Sequence, residues 1–152
     1  MTQEAEKGMR ELAIFEKFAV EAGLKVVPGS LSKCEPPQPD IICSLEGEGQ
    51  VRFELAEACA FEFAEAINNP RPEGVYSCFG TDVSEDTLRK KLSKSYPVSE
   101  PIELLLYTDG ATAKPDYVLK LEFEAILSET QGPYRRVWLH GDKTHEIWTQ
   151  IC

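Results

Sequence analysis

Two apolar segments joined by a very short glycine-rich connection constrain this chain more than any other feature. Ile41 to Leu45 is a run of strand-forming residues, Gly47-Glu48-Gly49 turns the chain, and Val51 to Ala56 returns. Parallel strands need a crossover of about a dozen residues or more, so these two are predicted to pair antiparallel as a hairpin. Alternation puts Arg52, Glu54 and Ala56 on one face of the second strand, and Val51, Phe53 and Leu55 on the other. Asp40, after Pro39, opens the first strand. The hairpin brings Asp40 and Glu54 together on neighbouring strands. Two hard oxygen donors so placed are what a divalent cation needs.

The other elements follow from periodicity. Residues from about Gln3 to Ala22 read as an amphipathic helix with Leu12, Phe15, Phe18, Ala19 and Ala22 on one face. Glu11 falls near the middle of that apolar face, and Gly23 ends the helix. An extended loop with Pro28, Pro36, Pro37 and Pro39 leads to the hairpin. Residues 57 to 69 carry a weak helical pattern, stopped by Asn68-Asn69-Pro70, and Val75 to Phe79 reads as a short third strand. Asp82 and Glu85 have the spacing of a capping box, opening a helix to about Tyr96. Ile102 to Tyr107 reads as a continuous apolar run, the pattern of a buried central strand. A further helix spans Pro115 to about Glu129, with Tyr117, Val118, Leu121, Ala125 and Ile126 inward. Val137-Trp138-Leu139 and Ile147-Trp148 form two last strands about the turn Gly141-Asp142-Lys143. This order predicts one α/β domain over residues 1–152, a mixed sheet flanked by helices, with Phe15, Phe53, Leu105 and Trp138 in its core.

Charge and cysteine usage narrow the function classes. The net charge of −10 disfavours a broad nucleic-acid footprint, which needs many lysines and arginines on the phosphates. No apolar run approaches a membrane span, so no membrane partner is expected. The acidic start of the chain is not that of a signal or transit peptide. The five cysteines are scattered without a Cys-x-x-Cys pair, which argues against zinc and for a reducing cytoplasm. Cys43 and Cys78 read as core thiols.

The Pro39-Asp40 strand start, the in-strand Glu54 and the order of elements resemble the PD-(D/E)XK nuclease superfamily, the restriction-endonuclease-like fold. Within it the chain is similar to small bacterial proteins of unassigned role, with a helix-borne acid, a Pro-Asp loop end and a late Val-Trp-Leu strand. The resemblance implies Mg²⁺ or Mn²⁺ held by Asp40 and Glu54, with Glu11 from the first helix as a third ligand. It implies metal-assisted phosphodiester hydrolysis, in which a lysine stabilises the developing charge. Ala56 stands where the family places that lysine. Lys91 is the substitute: with Leu88 and Leu92 inward, Lys91 flanks the apolar face while Lys90 points outward. Arg52 is a rival, because it shares a strand face with Glu54.

Each residue also has a purely structural reading. Asp40 closes an Asx turn in that reading, and Glu54 lies on a solvated edge. Glu11 is satisfied by a salt bridge, for example to Arg52. Glu57 lies opposite Glu54 on the strand as a strand-end acid, and the tryptophans are sheet-packing residues. His140 and His145 flank a turn and are expected to be exposed. The sequence therefore carries two functions: a metal-dependent nuclease with catalytic Asp40, Glu54 and Lys91, or a non-catalytic protein-binding domain on the same fold.

Overall fold

The computed structural model describes residues 3–58, 83–108 and 114–150. They form a six-stranded mixed sheet with three helices. In chain order the elements are α1 (Gln3–Ala22), β1 (Ser32–Lys33), β2 (Ile41–Leu45), β3 (Gly49–Glu57), α2 (Val83–Leu92), β4 (Ile102–Tyr107), α3 (Asp116–Glu129), β5 (Arg136–His140) and β6 (Thr144–Thr149). The strands lie side by side in sequence order. β2 runs antiparallel to both β1 and β3; β3, β4 and β5 run parallel, and β6 returns antiparallel to β5. The two parallel steps coincide with the two long connections, which carry α2 and α3.

The predicted hairpin is present, with Ile41 opposite Phe53 and Leu45 opposite Gly49. Gly47 and Gly49 both take positive φ (80° and 85°), which the tight turn demands and a side chain would resist. β4 lies between β3 and β5 in the sheet interior. Its two faces enter different cores. Leu104 and Leu106 pack with Leu88, Leu119, Phe123 and Leu127 of α2 and α3, while Leu105 and Tyr107 pack with Phe15 and Phe18 of α1. Cover on both faces is why the strand reads as an apolar run. Phe15, Phe53, Leu105 and Trp138 are all buried, as expected. Gly23, at φ 73°, ends α1 where predicted, and Leu24 N–H bonds the Ala19 carbonyl.

Several expectations are corrected. β1 is a two-residue strand inside the proline-bearing loop, too short to leave a pattern. β3 continues through Glu57, so the weak helical pattern does not begin there. α2 stops at Leu92 and not near Tyr96; just past its end the Ser93 hydroxyl folds back onto the Lys90 carbonyl at 2.8 Å. The inward face of α3 is Leu119, Phe123, Ile126 and Leu127, whereas Tyr117, Leu121 and Ala125 are exposed. The helix carries two adjacent apolar stripes, and the sheet covers only one. His140 is buried, not exposed: its Nδ1 lies 2.9 Å from Thr144 Oγ1 and 3.2 Å from Glu21 Oε2. His145 Nε2 lies 3.0 Å from Asp116 Oδ2, in a carboxylate that also accepts the N–H groups of Asp142 and Lys143. That carboxylate fastens the start of α3 to the β5–β6 turn. The expected strand at Val75–Phe79, the Asp82 cap, the helical pattern over 59–69 and the core thiol Cys78 lie outside the described residues. No helix among the described residues is long and apolar enough to cross a membrane.

Candidate functional site

The start of β2 and the middle of β3 build the site. Continuing the β2–β3 register one step beyond Ile41 and Phe53 sets Asp40 opposite Glu54. Asp40 N–H donates to Glu54 Oε1 at 3.1 Å. β3 runs on past the beginning of β2, so Leu55 N–H finds no strand partner there. It donates instead to Asp40 Oδ2 at 2.9 Å. A backbone group that would be orphaned thus holds the carboxylate in place.

Glu54 is only 4% exposed, and α2 covers it. Lys91 Nζ donates to Glu54 Oε2 at 2.6 Å, and Lys94 Nζ lies 3.5 Å from the same oxygen. The helical phase that turns Leu88 and Leu92 into the core brings Lys91 to the strand. Lys94 follows three residues later, just past the helix end. Burial pushes the Glu54 carboxyl up, but the hydrogen bond and charge of Lys91, the hydrogen bond from Asp40 and the charge of Lys94 hold it below its usual range. Asp40 moves the other way. Burial, then the charges of Glu54 and Glu11, push it up to about 6 against the pull of Leu55 N–H and Lys33. The two carboxyls therefore share a site that does not easily hold both charges.

Glu11 is buried, as its place on the helix face implied, and Lys33 Nζ bonds its Oε1 at 2.9 Å. α1 packs on the Phe53–Leu55 face of β3, whereas Glu54 faces α2. Glu11 reaches Asp40 as a neighbouring charge from the far side of the sheet. Among the described residues, no three acids, histidines or cysteines are grouped to hold a metal ion. Arg52, the rival cation, bonds neither Glu54 nor Glu11: its guanidinium goes to Glu100 at 2.8 Å and Gln38 at 2.9 Å. Glu57 pairs with Arg10 of α1 at 3.2 Å, on the side opposite Glu54, as alternation requires.

Two tyrosines complete the site and left no signal in the sequence. Tyr134 OH donates to the Lys91 carbonyl at 3.1 Å, and Tyr96 OH lies 2.9 Å from Tyr134 OH. Burial, the hydroxyl of Tyr134 and the charge of Glu54 keep the Tyr96 phenol protonated. Tyr134 locks the backbone at Lys91, and Tyr96 closes the network beside Glu54.

The donor set fits a hard divalent cation through two carboxylates. Mg²⁺ is commonly held by one or two carboxylates and otherwise by water and substrate phosphate. Burial does most to lift Asp40, and the Glu54 charge adds to it; a cation placed beside both carboxyls offsets that repulsion.

The raised Asp40 gives a pH prediction. Folded Asp40 keeps its proton to about pH 6, against 3.8 for the free side chain. Folding binds a proton across this interval, so this group's contribution to stability falls as pH rises through it. Above it, ionised Asp40 costs on the order of 1–3 kcal/mol. Asp40→Asn is expected to unfold like wild type in urea below about pH 4 and to be the more stable protein at pH 8. A variant no more stable than wild type at pH 8 contradicts the assignment.

Compared with protein-family models, with curated proteins and with solved structures, the chain has no significant match.

Proposed function

We propose that this protein is a metal-dependent phosphodiesterase of the nuclease type, on a restriction-endonuclease-like fold. Asp40 and Glu54 are the donors for Mg²⁺ or Mn²⁺, and Lys91 is the cation that meets the scissile phosphate. One observation carries the reading: the lysine absent at Ala56 is replaced, at 2.6 Å from Glu54, by Lys91 arriving from α2.

The chain's own groups divide the work. Asp40, pinned by Leu55 N–H, and Glu54, pinned by Asp40 N–H, hold their oxygens on adjacent strands before any ligand arrives. Rigid strands make a more exact platform than loops, and preorganised charge is the larger part of such catalysis. Lys91 supplies positive charge for a pentavalent phosphate, and Lys94, half exposed, lies further towards solvent. The divalent ion, when bound, polarises the phosphate and lowers the pKa of a bound water. Glu11 stays with Lys33 and adjusts the charge at Asp40 from behind the sheet. A reducing, cytoplasmic setting belongs to the same proposal and agrees with the free thiols Cys34 and Cys43.

A second reading is favoured by a specific observation. Both oxygens of Glu54 already accept hydrogen bonds from the protein, and the net charge is −10. An ion-pair cluster of that kind suits a non-catalytic domain that binds another protein.

Metal binding separates the two. In the nuclease reading, millimolar Mn²⁺ raises the melting temperature of wild type by mass action. Asp40→Asn and Glu54→Gln, both folded, lose that rise. An unchanged wild-type melting curve supports the protein-binding domain.

A further inference from the structure

Lys91 occupies an oxygen of Glu54, and what that contact implies rests on the divalent-cation reading of Asp40 and Glu54. Its ammonium is bound to Glu54 Oε2 at 2.6 Å, and Lys94 stands 3.5 Å from the same atom. Oxygen Oε1 is taken by Asp40 N–H. The metal-donating carboxylate is therefore already neutralised by the protein's own cations. A divalent ion cannot share Oε2 with an ammonium at that distance, because the two positive charges repel in a buried setting.

We infer that Lys91 is a displaceable internal cation: it occupies Glu54 in the metal-free protein, and a divalent ion must evict it to bind. The departing group does not travel far. Tyr134 OH holds the Lys91 carbonyl at 3.1 Å, so the backbone stays while the four-carbon stem swings. The Lys91 side chain is about one-fifth exposed (19%) and neighbouring Lys94 about half exposed, so the ammonium has solvent to move into on the Lys94 side. Metal binding and delivery of the catalytic cation thereby become one event. A metal-free site keeps its lysine sequestered, and the metal concentration sets the fraction of molecules with Lys91 free. Lys114, paired with Glu122 at 2.9 Å and about as exposed as Lys91, is the internal comparison, since Glu122 is no proposed metal donor.

The competition has a readable size. If Lys91 holds Glu54 in nine-tenths of metal-free molecules, apparent affinity for the ion is reduced about tenfold. Mn²⁺ binding, followed by the electron paramagnetic resonance of the free ion, is expected to be about tenfold tighter in Lys91→Met than in wild type. Glu54→Gln should bind far more weakly than either. In parallel, wild type is labelled with an amine-acylating reagent and each lysine is read by mass spectrometry. Mg²⁺ should speed acylation of Lys91 several-fold and leave Lys114 unchanged. This second arm needs no variant, and it decides the matter if Lys91→Met does not fold. Mn²⁺ binding to wild type with equal or weaker binding to a folded Lys91→Met, or Mg²⁺-independent labelling of Lys91 at saturating ion, overturns the displacement while leaving the metal site standing. Absence of binding in every protein overturns the displacement and the metal reading together.

Discussion

Leu105→Ala is expected to lower the unfolding free energy by about 2–5 kcal/mol in urea. The side chain is fully buried in the middle of β4, flanked by Leu55 on β3 and Trp138 on β5. It packs among Phe15, Phe18, Phe53 and Trp138; Phe15 meets Phe53 edge to face with ring centres 4.8 Å apart, and Phe18 meets Trp138 in the same way at 5.2 Å. Such a wall cannot collapse easily into the space a truncated leucine leaves, so both the lost burial and the residual cavity are felt. Leu121→Ala is the control. That leucine is 67% exposed on α3, and its truncation should change stability by less than about 0.5 kcal/mol. A loss below about 1 kcal/mol at Leu105 contradicts the placement of β4 at the centre of the core.

Glu103→Ala should be comparably damaging, for a different reason. Glu103 has no exposed surface, yet its side chain is a carboxyl group. Its carboxylate accepts Trp138 Nε1 at 2.6 Å and Arg135 Nε at 2.7 Å, with Arg136 at 3.8 Å. Removing it leaves the buried indole N–H without that acceptor and strips the arginines of their buried counter-charge. Breaking a buried pair from one side costs roughly 3–5 kcal/mol. Arg135→Ala should cost less, because Trp138 and Arg136 still serve the carboxylate and Arg135 spends part of its charge on Glu48 at the surface. Urea unfolding of both variants checks the order. Equal losses contradict the view that Glu103 is the hub.

These two residues mark where sequence reasoning succeeded and where it stopped. Leu105 was legible because a strand covered on both faces needs apolar residues at every step. Glu103 lies in the same strand and was read through as part of the run. Its partners at 135 and 136 come near only through the parallel β4–β5 register, which sets Glu103 opposite Arg136. Local periodicity carries no such information. The site divides in the same way. Asp40 and Glu54 face each other because a short turn fixes the hairpin register, and that is a local fact. Lys91 was legible from helical phase against Leu88 and Leu92. The pairing of Glu11 with Lys33 was not, since it depends on β1, a strand of two residues. Arg52 was misassigned as a rival because strand alternation gives a face but not a partner; Glu100 and Gln38 claim it. The tyrosine that anchors Lys91 sits far along the chain, and its hydroxyl meets a backbone carbonyl and another tyrosine, neither of which local spacing reveals. On α3 the sequence offered two apolar stripes, and only packing chose between them.

The central claim is that the Asp40–Glu54–Lys91 cluster cleaves phosphodiester bonds. Its most direct test is cleavage of single- and double-stranded DNA and RNA with Mn²⁺, by wild type, Glu54→Gln and Lys91→Ala, each verified as folded. The account predicts that wild type cuts at least one of these substrates, that chelation of the metal stops it, and that both variants lose activity by roughly 100-fold or more. Cleavage that survives Glu54→Gln, or no cleavage of any substrate by wild type, contradicts it.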